Sequence, residues 1–142
     1  MESRQSRLGL FVSYNEKKNG KFQEAVDVCD DHGYVIWLEN SVVRKERFVL
    51  PTTILIKITG EDRYYRGELR EIKRAEEFDR NALLAEASHR PAKWRQGDKG
   101  DYAGFKSVLY IADLKQVPRP AGIDKGRGPR RPIYTEESIL RG

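Results

Sequence analysis

The chain has 142 residues, 38% hydrophobic and 35% charged, with a net charge of +5. That is enough for one domain with one modest core, and no apolar run approaches the length of a membrane span. The single cysteine, Cys29, excludes an internal disulfide and any multi-cysteine zinc site. A charged N-terminus with no apolar stretch before a cleavage site argues against secretion, and a cytoplasmic location is the default expectation.

The positive charge is unevenly placed. Residues 115–142 hold seven Lys and Arg against three Asp and Glu, a surplus of +4, which leaves +1 for residues 1–114. An anion-binding face on the folded part must therefore come from local clustering.

In chain order, Leu8 to Tyr14 reads as a first strand and Asn15 to Gly20 as its turn. Phe22, Ala25, Val26 and Cys29 recur at 3,4 spacing and predict a helix over 21–31, ended by His32-Gly33. Tyr34 to Leu38 is a second strand, and 40–50 a loop or short irregular strand. The clearest feature is a hairpin. Thr53 to Thr59 is a β-branched strand with Ile54, Ile56 and Ile58 on one face, and Gly60-Glu61-Asp62 is a polar turn. The returning strand puts Tyr65, Gly67 and Leu69 on an apolar face and Tyr64, Arg66, Glu68 and Arg70 on a wet, basic one. Ile72 then falls out of phase, which a bulge near Arg70 or Glu71 would repair.

Residues 75–88 predict a second helix stopped before Pro91, and 90–104 an exposed charged loop carrying Trp94. Phe105 to Leu114 is the last strand. Residues 1–120 are thus read as one domain, and the basic, Gly/Pro-rich residues 121–142 as a tail or linker. The pattern predicts an α+β fold: a curled, barrel-like sheet of five to six strands with two flanking helices.

Three sets of residues could carry chemistry. Tyr14, Trp37, Phe48, Tyr64, Tyr65, Trp94 and Tyr102 form an aromatic set interleaved with Arg and Lys. Stacking rings beside phosphate-neutralising cations are what an extruded or single-stranded base needs, although core packing explains some of these rings equally. Between Arg44 and Arg74 lie nine basic residues against five acidic ones. They form either an anion-binding face or a salt-bridged sheet surface. Asp62 followed by Glu71-Ile72-Lys73 imitates a Mg²⁺-dependent nuclease triad, in which two carboxylates hold the metal and the lysine helps activate water. His32 and His89 are far apart in sequence without ligand spacing, and Cys29 reads as packing, so neither metal nor cofactor is expected.

The run Leu50-Pro51, Ile54 to Lys57, Tyr65-Arg66-Gly67-Glu68-Leu69 and Ile72, then an Arg-Pro loop with Trp94, then Phe105 to Ile111, Leu114 and Pro118, resembles PUA-like domains of the EVE and ASCH type. The Gly-x-Lys-x-x-Glu-x-Arg signature of ASCH domains is absent, which argues against that branch and its enzymatic activities. The resemblance, over residues 8–120, implies a curled barrel with a concave pocket for a modified base. In McrB-type modification-dependent restriction systems such a domain is the specificity module, and a motor or nuclease domain would lie beyond the C-terminus.

The resulting expectation is a nucleic-acid-binding module, DNA favoured over RNA, with no catalytic residues and no membrane partner. Its base pocket would draw on Tyr14, Trp37, Tyr64, Tyr65 and Trp94, and its phosphate contacts on Arg44, Lys45, Arg47, Arg66 and Arg70. An RNA-binding PUA-like domain, the Asp62, Glu71 and Lys73 nuclease, and a protein-interaction domain with an acidic partner are the alternatives.

Overall fold

A computed structural model describes residues 7–78, 81, 85–97 and 104–142. The fold is α+β, with one mixed six-stranded sheet in the order β2-β5-β4-β3-β1-β6. The strands are β1 (Leu8–Tyr14), β2 (Val35–Glu39), β3 (Thr52–Ile58), β4 (Tyr64–Arg74), β5 (Ser107–Val117) and β6 (Ile133–Glu136). Four α-helices are present among the described residues: α1 (Glu16–Asn19), α2 (Gln23–His32), α3 (Ala92–Gly97) and α4 (Glu137–Arg141).

The predicted hairpin is the centre of the sheet. β3 pairs antiparallel with β4, Ile56 opposite Tyr65 and Lys57 opposite Tyr64. The predicted bulge is there as well. Leu69 pairs with Ile111 and Glu71 with Tyr110, so Arg70 is the extra residue, and Leu69 and Ile72 both turn into the core. A second register shift lies between Arg66 and Glu68, where β5 carries the surplus and Asp113 takes φ 53°. Gly67 sits in this corner because a Cβ there would come within 2.9 Å of the Ala112 carbonyl oxygen.

These bends curl the sheet but do not close it. β2 and β6 are its edges and do not pair with each other, so the expected barrel is an open sheet. The curl is still strong: Tyr14 on β1 meets Trp37 on β2 at a ring separation of 5.9 Å, although three strands lie between them in the sheet. Helix α2 fills the concave side with Phe22, Ala25, Val26 and Cys29 against Leu10, Val12, Ile54, Ile56, Leu69 and Ile111. Gly33 ends it in the left-handed conformation, donating its N–H to the Cys29 carbonyl at 2.8 Å.

Several expectations change. The face of β4 read as wet is covered: Tyr64 packs with Phe11, Leu55, Ile123 and Leu140 in a second core. The cover comes from the segment read as a tail. β6 pairs antiparallel with β1, Leu8 opposite Glu136, and α4 lays Leu140, fully buried, across the sheet. The alternation of β4 shows which residues share a face, and only tertiary packing decides what lies on that face. The continuous helix over 75–88 is replaced, among the described residues, by 3-10 turns at Ala75–Glu77 and Ala87–His89. The loop over 90–104 begins instead as helix α3, whereas residues 98–103, with Tyr102, lie outside the described residues.

Candidate ligand cleft at the open seam of the sheet

β6 pairs only with Leu8–Phe11, so the far half of the β1 edge has no strand neighbour. A cleft of about 820 Å³ opens there, between Ser13 and Tyr14 of β1, residues 37–40 of β2 and its turn, Lys18 and Asn19 of α1, and Arg90, Lys93 and Trp94 around α3. Because the sheet curls without closing, its two sides face each other across this gap. Small-molecule and base sites favour such concavities.

Three of the five expected pocket aromatics meet in it. Tyr14 and Trp94 are 5.8 Å apart, Trp37 and Trp94 6.0 Å, and Tyr14 and Trp37 5.9 Å, all tilted or edge to face. No two rings form a parallel slot, so a planar ligand would lie on an open ring face rather than between two rings. The Trp94 indole N–H donates to the Tyr14 hydroxyl at 2.8 Å, and that hydroxyl in turn donates to the carbonyls of Asn19 and Gly20 at 2.8 and 3.0 Å. Burial pushes the Tyr14 phenol up to about 12, so it remains a neutral donor at physiological pH. Tyr14 is 4% exposed and Trp37 9%, whereas Trp94 is only partly buried. Tyr14 therefore holds Trp94, and the tryptophans offer the contact surface.

The other two expected aromatics lie elsewhere. Tyr65 is in the main core against Phe22, at 4.7 Å between rings, and its hydroxyl accepts from Arg63 at 3.1 Å. Tyr64 points to the opposite side of the sheet.

The expected phosphate contacts are also away from the cleft. Lys45 pairs with Glu77 at 3.3 Å, and the Arg47 guanidinium lies 5.1 Å from the Tyr134 ring centre. Arg66 donates to the Arg141 carbonyl at 2.8 Å, and Arg70 pairs with Glu68 at 2.7 Å. Arg44 is exposed on the loop before the 3-10 turn Lys45–Arg47, where its backbone N–H donates to the Tyr134 hydroxyl. The cations that line the cleft are Lys18, Lys93 and Arg90, which sequence reasoning did not single out. Arg90 is buried at 5% exposure, donates to the Ile36 carbonyl at 3.2 Å and lies 5.8 Å from the Trp94 ring centre. Lys18 and Lys93 are exposed.

Glu39 was also missed. It accepts from the Trp37 indole N–H at 3.0 Å and from the Ser41 backbone N–H at 3.1 Å, and burial raises its carboxyl above the ordinary value. A signal was present: Trp37 and Glu39 are two apart on one strand and so share a face.

The nuclease triad is not assembled. Asp62 lies in the hairpin turn, paired with Arg119 at 3.3 Å, and Glu71 sits nine residues along, about 25 Å at strand rise. Lys73 lies over the Tyr110 ring, 5.2 Å from its centre. His32 and His89, distant in sequence, come together with rings 5.5 Å apart, and His89 stacks on Tyr34. Among the described residues, no group of three or more His, Cys, Asp or Glu is placed to hold a metal ion, and no helix is long and apolar enough to cross a membrane.

Compared with protein-family models, curated proteins and solved structures, the chain matches none.

Proposed function

We propose that this chain is a PUA-like nucleic-acid-binding module, acting in the cytoplasm, that receives an extruded base in the seam cleft and does no chemistry on it. The observation that carries the reading is the convergence of Trp37, Trp94 and the supporting Tyr14, from three separate elements, on one concavity rimmed by Lys18 and Lys93. Taking a base out of a duplex costs a few kcal/mol, and stacking it on an aromatic face returns about 1–3 kcal/mol. Phosphates flanking that base would meet the rim lysines. A modified base, and DNA as the specificity element of a modification-dependent restriction system, follow as the narrower form of the same reading. RNA offers the same base faces and is an outcome of the test.

The experiment is a binding screen with plain, methylated and hydroxymethylated oligonucleotides, single- and double-stranded, of DNA and RNA, run with the parent chain and with Trp94→Ala. The parent should prefer one base. The variant should lose that preference while keeping much of its salt-dependent binding, with thermal melts reporting its fold. A folded Trp94→Ala variant that binds every oligonucleotide as the parent does would overturn the base-pocket reading.

A further inference from the structure

Glu39 is the one carboxylate among the described residues lining the cleft, and its surroundings specify what it can still bind. Each carboxylate oxygen already accepts one hydrogen bond from a neutral donor, Oε1 from the Trp37 indole and Oε2 from the Ser41 backbone. A carboxylate has about four acceptor sites, so about two remain. Glu39 makes no ion pair among the described residues, because its neighbours on β2 and the following turn are Trp37, Leu38, Asn40 and Ser41. The Trp37 bond also fixes the carboxylate beside the ring on which a ligand would stack. An acceptor-only group held there favours an edge bearing N–H donors and repels one bearing carbonyls, since a carbonyl brought against it leaves two acceptors facing each other.

We infer that Glu39 reads the exocyclic amino group of the bound base, so that the cleft takes amino-bearing bases, cytosine or adenine, over their keto counterparts. This rests on the base-pocket reading above and adds the chemical class of the base. It also divides the labour in the cleft. Trp37 and Trp94 supply face contact that every base can satisfy, and Glu39 supplies the discrimination that stacking lacks. Sites built to bond a substrate N–H reject analogues lacking it far more strongly than apolar pockets reject a missing methylene.

The test compares oligonucleotides identical except at one position, cytosine against uracil and adenine against hypoxanthine, on the parent chain, on Glu39→Gln and on Trp94→Ala. The parent should bind the amino-bearing member of each pair about tenfold or more tightly. Glu39→Gln, which keeps the size and adds a donor, should bring the members within about threefold. Equal or tighter binding of uracil and hypoxanthine by the parent overturns the inference, and so does a Glu39→Gln variant that keeps the full preference. If that variant fails to fold, the parent's comparison decides alone. Base-dependent binding that is lost in Trp94→Ala but shows no amino preference removes the Glu39 role and leaves the pocket. Binding indifferent to Trp94→Ala removes the pocket itself.

Discussion

Tyr14 belongs to the core and to the cleft at once, and its hydroxyl shows how the two are coupled. It donates to two carbonyls at the end of α1 and accepts from Trp94, while its ring packs against Phe22 and Trp37. Its pKa of about 12 lies above the ordinary 10, so the folded state holds this proton more tightly than the unfolded state. Between about pH 10 and 12 the unfolded chain releases a proton that the folded chain keeps. Stability attributable to Tyr14 is therefore intact below pH 10 and falls as pH rises, by about 1.4 kcal/mol per pH unit. Burial raises Tyr34 to about 12 in the same direction. Tyr14→Phe should cost about 1 kcal/mol at pH 7 and flatten part of the alkaline loss, read from denaturant midpoints at pH 7 and near pH 11. An unchanged alkaline slope in the variant would place its source elsewhere. At this scale the sequence showed Tyr14, Trp37 and Trp94 as one aromatic set, because all three adjoin strand ends or breaks where rings are not needed for a hairpin core. It placed Tyr64 wrongly because period-2 alternation assigns faces, whereas the residues that bury Tyr64 lie 59 and more positions further on, at Ile123 and Leu140.

Among the elements, the central hairpin and its bulge were legible because both follow from local pattern. β-branched alternation sets β3, and the misplaced Ile72 requires one extra residue, which is Arg70. Helix α2 was legible from its 3,4 spacing. The C-terminal segment was not, since glycine, proline and arginine before Ile133 look like a linker and β6 is only four residues long. Pairing with β1 supplies what its composition lacks, and α4 follows with one fully buried side chain, Leu140. That side chain also sets a close packing limit, because a Cβ on Gly9 would lie 2.7 Å from its Cδ1 and 2.4 Å from the Thr53 carbonyl oxygen. If the segment is integral, Leu140→Ala should destabilise the fold by about 2–5 kcal/mol, as truncations of fully buried leucines do. Urea unfolding followed by far-UV circular dichroism measures it. A loss under about 0.5 kcal/mol would mean that α4 is a dispensable cover.

Over the whole molecule, the charge distribution decides which face a polyanion would meet, and here the linear order of charges misleads. Between Arg44 and Arg74 the surplus of base looked like a phosphate face. Yet Lys45 is paired with Glu77, Arg70 with Glu68 and Arg74 with Glu46 at 3.8 Å, while Arg66 serves the backbone of α4. Releasing such a cation to a phosphate leaves its carboxylate unpaired, which offsets part of the gain even for exposed pairs. Lys18 and Lys93 carry no such cost: both are exposed at the cleft rim, and neither makes an ion pair among the described residues. Each phosphate neutralised releases condensed counterions, so each lysine that makes such a contact adds about one to the slope of log affinity against log salt, slightly less on single strands. Lys93→Ala should therefore weaken binding of all sequences about equally and lower that slope by about one, measured by fluorescence anisotropy across a salt series. Arg70→Ala should leave the slope where it is. The opposite pair of results would move the phosphate path to the outer face of β4, and with it the route by which a strand approaches the cleft.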